Sequence, residues 1–292
     1  MKKTIIFLVM LLINIPFVNA ETIEEKILEN KTYTNNEGVT INQENYNKIK
    51  DLLEDIEIEN IDENIYQKIN NSEKAVAYET TIIETEYVKI GNDTFVLNQK
   101  VITNDELNDI STASTTEGSV VHTTSYKQLH LWVFSNSDGT YTFVIQNSWK
   151  KIPSNKSFDV LAFRWEGTVT ENKNTIYGEQ IYKISTSQVN PPFIEYQYGN
   201  GNYKYESNGV GLSQNLVNGD YYYVNQLEIT ASCSGTIKLY GTYQHAQGDL
   251  TLSDSKSYSI SSSGLGNVLY YSNSTIRNTY DNMQGISVSF IA

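Results

Sequence analysis

Between Val121 and Phe290 the chain breaks into roughly nine or ten short runs rich in β-branched and aromatic residues, each closed by Gly, Asn, Asp or Ser. No run of helical period interrupts them. Side chains that alternate along so many short strands need a second layer to cover their apolar positions. The expected fold is mainly β, an antiparallel β-sandwich at 121–292 preceded by a short helical segment and a β-hairpin. Cys233 is the single cysteine, so no internal disulfide forms and stability must come from burial.

The N-terminus places Lys2 and Lys3 before an apolar run from Ile5 to Ile13, followed by Asn14, Pro16 and the small-residue site Val18-Asn19-Ala20. That is the pattern of a signal peptide at 1–20, cleaved near Ala20. The apolar run is about ten residues, against roughly 20 for a bilayer span. No Leu-Pro-x-Thr-Gly sorting motif or hydrophobic tail is present. The expectation is an extracellular protein, secreted in the manner of Gram-positive exported chains, with no stable membrane anchor after cleavage. Loss of Lys2 and Lys3 takes the formal net charge from −13 to −15, a field that repels nucleic acid and anionic lipid.

Residues 21–71 are acidic and helical in period. Tyr46, Ile49, Leu53 and Ile56 share one face, and Ile58, Ile61, Ile65 and Ile69 share another after a break near Glu57, which predicts two short helices. Residues 75–110 read as a β-hairpin, Ala75–Lys89 with Thr94–Ile102, and one helical turn at Asn104–Ile110. A Ser/Thr linker at 111–120 separates these from the main domain.

Two hairpins can be specified inside that domain. A two-residue turn at Asp138-Gly139 pairs Phe134 with Phe143, Val133 with Val144 and Trp132 with Ile145, and sets His130 against Asn147. Both faces are apolar there, which makes Trp132 core. A turn at Asn200-Gly201 sets Tyr198 against Tyr203 and Tyr196 against Tyr205 on one face, with Gln197 against Lys204 behind. These four tyrosines are the candidate ligand-binding face.

The segment Trp149-Lys150-Lys151-Ile152-Pro153-Ser154-Asn155-Lys156-Ser157-Phe158-Asp159-Val160 resembles a block of uncharacterised exported proteins of Firmicutes. Tyr240–Ala246, Ser263–Gly266 and Tyr280–Gly285 resemble the C-terminal half of that family, and Glu44–Tyr66 its N-terminal preface. Lys156 departs from the pattern, where Arg is expected. The resemblance implies export and no particular activity. In physical terms, Trp149 ends a strand, Pro153 keeps the connection off the ladder, Phe158–Trp165 is the next strand, and Lys156 pairs with Asp159.

Chemistry-bearing residues are sparse. His122, His130 and His245 lack metal-ligand spacing and read as structural. Cys233 lies in Ser232-Cys233-Ser234-Gly235, read as a turn rather than as the setting of a nucleophile. Glu166, Glu179, Glu195 and Asp220 are available as hydrolytic carboxylates but read as solvated strand ends or turns. Asp138 and Asn218-Gly219-Asp220 read as turn residues rather than calcium ligands. No cofactor or metal is implied. The function expected first is a non-catalytic binding or surface-interaction module for a cell-wall or host glycan or a surface protein. A hydrolase using strand-end carboxylates comes second, and a membrane-active β-protein, from the alternation at Thr251–Ser263, third.

Overall fold

The computed structural model describes residues 21–90, 93–103, 106–107, 115–117, 120–186, 188, 190–206, 208–261, 268–282 and 284–292. The signal peptide expected at 1–20, most of the turn expected at Asn104–Ile110 and most of the Ser/Thr stretch at 111–120 lie outside them.

The chain opens with α1 (Ile23–Asn30), the ribbon β1 (Thr32–Thr34) and β2 (Thr40–Asn42), and then α2 (Gln43–Asn47), α3 (Asp55–Ile58) and α4 (Glu63–Asn71). Strands β3 (Lys74–Ile90), β4 (Asp93–Ile102), β5 (Thr115–Glu117), β6 (Val120–Ser135) and β7 (Tyr141–Trp149) follow. Next come β8 (Phe158–Lys183), β9 (Phe193–Gln197), β10 (Tyr203–Glu206), β11 (Gly209–Asn215) and β12 (Tyr222–Gln244). The C-terminal part holds α5 (Leu252–Ser255), β13 (Tyr258–Ile260), β14 (Leu269–Tyr271), α6 (Ser274–Thr279) and β15 (Gln284–Ile291).

Where two helices are expected in 21–71, four short ones form, because side-chain caps start new turns. The Thr22 hydroxyl accepts from Glu25 N–H while Glu25 answers the Thr22 N–H, and Asn42 and Asp62 cap α2 and α4. Ile58, Ile61, Ile65 and Ile69 are all buried as their period predicts, whereas Ile56 is 41% exposed.

Strands β3 to β12 and β15 make one antiparallel sheet of 11 strands. It becomes sandwich-like because β8 and β12, 26 and 23 residues long, bend as a pair. The first half of β12 lies between β7 and the end of β8, and its second half between β15 and the start of β8. The bend falls where the β8–β12 register slips between Ser234 and Lys238. Gly167 and Gly235 take φ of 108° and 74° there, and a Cβ on Gly167 would stand 2.6 Å from the Thr236 carbonyl. Folding over brings Phe163 of β8 and Phe290 of β15 against Phe143 of β7, with ring centroids 6.5 and 6.0 Å apart. One apolar interior results, with Leu131, Ile145, Leu161 and Leu239 fully buried in it.

Several expectations change in detail. Cys233 sits within β12 beside its bend, so the Ser-Cys-Ser-Gly signal marks a corner in one strand and not a turn between two. The β3–β4 hairpin joins the main sheet, because β3 pairs with β6 along almost its whole length. The β6–β7 register is one residue from the predicted one: Trp132 faces Val144, Val133 faces Phe143 and His130 faces Gln146. Gly139 donates to the Asn136 carbonyl and Asn136 N–H to the Thr140 carbonyl, so the loop is a three-residue turn with a Gly139 bulge, φ 79°. Trp132 is core on the outer face, stacked on Phe134 at 5.5 Å beneath the N-terminal helices. Those helices cover the second apolar face of β6 and β7.

The Asn200-Gly201 hairpin does not form a ladder. Strand β9 pairs with β8 in one layer and β10 with β11 in the other, so the turn carries the chain across the sandwich. Tyr196 and Tyr203 are buried in the interior, where the Tyr203 hydroxyl donates to the Tyr196 carbonyl. Gly178 leaves room for this contact, since a Cβ there would strike Leu212 and the Tyr203 hydroxyl.

Three of the blocks that carried the family resemblance, Trp149–Val160, Tyr240–Ala246 and Tyr280–Gly285, meet in a buried polar network, while Ser263–Gly266 lies outside the described residues. The Asp159 carboxylate receives His245 Nδ1 at 3.0 Å, Ala246 N–H at 2.9 Å and the Tyr243 hydroxyl, which in turn accepts from Trp149 Nε1 at 3.0 Å. Beside it Lys127 pairs with Asp281, both almost wholly buried. Lys156 does not reach Asp159; its ammonium donates to the Pro153 carbonyl, because Asp159 faces inward.

A buried ion pair costs more to break than to lack. Lys127→Met leaves the Asp281 charge uncompensated and is expected to lower unfolding free energy by about 3–5 kcal/mol in urea titration. Lys50→Met, which removes an exposed pair with Glu24 at 3.5 Å, is expected to cause no measurable loss.

Candidate functional site

The outer face of the first layer carries a row of polar residues in register across adjacent strands. His130 faces Gln146, Gln146 faces Gln226, Gln226 faces Glu179, and Glu179 faces Glu195. Two residues along the strands, Glu228 faces Tyr177 on the same side. An apolar row would have bound the N-terminal helices over the whole face. The polar row stops that packing and leaves a groove between α4 and the β8–β9 edge.

Helix α4 is fastened to the row by three side chains from its first two turns. Asp62 accepts from Gln146 Nε2 at 2.9 Å, Asn64 Nδ2 donates to Glu179 Oε1, and Lys68 meets Glu228 at 2.6 Å. Gln226 Nε2 donates to Glu228 at 3.1 Å. Beyond these contacts two hollows of about 360 and 420 Å³ share Asn64, Tyr177 and Glu179 as a common floor. The Lys68–Glu228 pair closes one end, and Lys183, 3.6 Å from Glu37, lines the other. Phe193 lies 54% exposed on the wall beside it.

Glu179 is the electrostatic centre of the groove. Burial, reinforced by the nearby Asp62 and Glu228 carboxylates, pushes its carboxyl up to about 7, against the smaller opposing effects of the Tyr177 hydroxyl and Lys68. Tyr177 donates toward Glu179 Oε2 at 3.3 Å and Glu195 Oε1 at 3.5 Å, bridging the two carboxylates of neighbouring strands.

The structure distributes the sequence-derived candidates as follows. Of the tyrosine face, Tyr196 and Tyr203 are core, Tyr205 is half-buried, and Tyr198 alone is well exposed, at 42%. The four do not make a common surface. Glu179 and Glu195 come together, and Glu179, four residues from the end of β8, is buried rather than solvated. Glu166 is held apart by Arg164 at 2.8 Å and Tyr240 at 3.1 Å, and Asp220 is exposed in a turn. His130 is buried against Tyr78 and Thr80, and burial holds its ring down at about 3, so it stays neutral. Burial raises the Cys233 thiol to about 11, which disfavours a thiolate. Asp138 is occupied by Thr140 within its own turn. Among the described residues no group of three or more His, Cys, Asp or Glu is placed to hold a metal ion.

The contributions of Asn64, Lys68, Tyr177 and Glu228 are not legible as a motif, because they come from three separate stretches of chain, α4, β8 and β12. The available signal was weak: polar residues at alternating positions of strands that are otherwise apolar, such as Tyr177-x-Glu179 and Gln226-x-Glu228.

No family model matches the chain, and no curated protein does. A solved structure titled "Complete structure of manganese lipoxygenase of Gaeumannomyces graminis and partial structure of zonadhesin of Komagataella pastoris" is similar at a TM-score of 0.30 and 6% identity, over 73% of this chain and 81% of that one.

Glu179 links the groove to pH. Its folded value lies above that of a free carboxyl, so folding favours its protonated form and its ionisation costs stability as pH rises through about 7. Glu179→Gln is therefore expected to be more stable than the parent at pH 8.5, by on the order of 3 kcal/mol. That advantage should vanish below about pH 4.5, where both proteins carry a neutral side chain. Urea midpoints of both proteins at pH 4 and 8.5 check this; an equal gap at the two pH values would contradict it.

Proposed function

We propose that the protein acts outside the cell as a non-catalytic binding module for a cell-wall or host glycan, free or carried on a surface protein, and that it holds the sugar chain in the groove beside α4. The reading rests on one observation: an elongated groove whose floor is a fixed array of amide, hydroxyl and carboxyl groups, with the exposed ring of Phe193 on its wall. Sugar hydroxyls both donate and accept, which such an array can match, and an aromatic side chain covers the apolar face of a pyranose. The tyrosines of the Asn200-Gly201 segment contribute the framework and not the surface.

Hydrolysis is the second reading, favoured by the Glu179–Tyr177–Glu195 bridge. The two bridged carboxylate oxygens are no farther apart than the sum of their distances to Tyr177, which does not exceed the upper end of the roughly 5–10 Å that paired carboxyls span in glycoside hydrolases. Binding ranks first because both Glu179 oxygens already have protein partners, Asn64 and Tyr177, whereas an acid catalyst needs one aimed at the scissile oxygen. A membrane-active reading has its own observation, the exposed Phe95, Leu97 and Val101 of β4, and predicts dye release from liposomes.

A glycan array and a pulldown with soluble peptidoglycan fragments test the first reading. At least one glycan class is expected to bind, with Phe193→Ala weakening it about tenfold, the scale of one lost aromatic contact of 1–1.5 kcal/mol. New reducing ends from the same glycans, abolished by Glu179→Gln, would instead establish the hydrolase. Silence on both the array and the pulldown would remove the binding reading.

A further inference from the structure

A second cleft, of about 480 Å³ and sharing no lining residue with the groove beside α4, lies between β4 and the C-terminal segment that carries β14 and α6. Three features separate it from the groove. Its exposed polar wall is Arg277, Asn278 and Asn282, with Gln247 beside them, and no lysine or second arginine lines it. Its single carboxylate, Asp281, is already neutralised by the buried Lys127. The guanidinium of Arg277 therefore gives the cleft a positive character on a strongly acidic chain.

The remaining lining is aromatic above and amide below. Phe95 and Tyr270 stand at the wall with 51% and 66% of their surface uncovered. Tyr271 and Tyr280 back them, with centroids 5.3 Å apart. At the floor, Gln244 spends its Nε2 on the Asp281 carbonyl at 3.3 Å, while its buried Oε1 accepts from no group of the protein.

We propose that this cleft is a binding site for a carboxylated sugar, of the uronic or sialic acid type. The carboxylate is taken by Arg277 with the amides of Asn278 and Asn282, since guanidinium and amide donors match carboxylate oxygens geometrically. Ring hydroxyls meet Gln247, and the sugar face lies against Phe95 or Tyr270. A simple inorganic anion would use Arg277 alone and leave the rings without a role. A neutral sugar would leave Arg277 without one.

The site is independent of the groove beside α4, and the test separates the two. Isothermal titration of the intact secreted chain uses trigalacturonic acid and sialyllactose as acidic probes, the methyl ester of trigalacturonic acid and lactose as their neutral counterparts, and acetate as a simple anion. At least one acidic probe is expected to bind tenfold or more tighter than its counterpart and than acetate. Arg277→Gln is expected to cost about tenfold or more, the scale of one lost charge-assisted hydrogen bond. Asn282→Asp, which adds a negative charge at an exposed position, is expected to weaken the acidic probe as well, and Phe193→Ala to leave it unchanged. Circular dichroism of each variant confirms that it folds. Absence of binding by both acidic probes, equal binding of acetate, or an affinity untouched by both Arg277→Gln and Asn282→Asp would overturn the assignment; loss in Phe193→Ala with Arg277→Gln unaffected would place the acidic sugar in the groove instead.

Discussion

The ladder between β8 and β12 is the longest in the molecule, running from Tyr222 opposite Lys183 to Gln244 opposite Val160, and it is shared by both layers. Four strands take their positions directly from these two, β7 and β15 from the opposite halves of β12 and β9 and β11 from the opposite halves of β8, while β6, β3 and β4 follow outward from β7. Because backbone hydrogen bonds must be kept through the bend, the corner is confined to the register slip near Gly235 and the positive-φ Gly167 opposite it. The apolar interior is what holds the fold closed, and its closure is possible only because the ladder survives the corner. A single free cysteine and no disulfide put the whole burden on that burial.

The same geometry determines where ligands can go. The inner faces of both layers are filled by Phe143, Phe163, Leu239 and their neighbours, so recognition is left to outer faces and edges. On the outer face of the first layer, the apolar patch of Trp132, Phe134 and Val144 takes the N-terminal helices, and the polar row that follows it replaces apolar packing with the side-chain contacts of Asp62, Asn64 and Lys68. The groove exists at that boundary, with Glu179 on its floor between Asn64 and Tyr177. At the opposite end, β13, β14 and α6 build a small cluster around Tyr258 and Tyr271 that brings Arg277 to the edge of β4.

The period-two alternation beyond Val121 carried the mainly β architecture, and the Ile58–Ile69 spacing carried the buried face of the N-terminal helices. Both are local properties that a sheet or helix must satisfy wherever it packs. Pairing was less legible. Asp138-Gly139 is consistent with a two-residue or a three-residue loop, and the choice rests on a Gly139 bulge that shifts every partner by one. Asn200-Gly201 has a hairpin signature, yet its flanking strands find stronger partners in β8 and β11, which the sequence leaves far away. The tyrosines thereby became core rather than surface. Cys233 and its serines carried a turn signature for the related reason that a strand bending sharply needs the same residues as a strand ending. The carboxylate pair was visible only as two unranked glutamates, because residues 16 positions apart become neighbours through register and acquire their environment from α4.

Native-state hydrogen exchange by mass spectrometry in rising urea tests most directly whether the bent ladder makes the two layers one cooperative unit. If it does, the amides of Val224–Ala231 and Ile237–Tyr243 in β12 will share a single highest-energy opening, with one urea dependence equal to that of global unfolding. Separate openings for the two halves of β12, each with its own smaller urea dependence, would show that the layers are independent sheets joined by a flexible corner and would contradict the account.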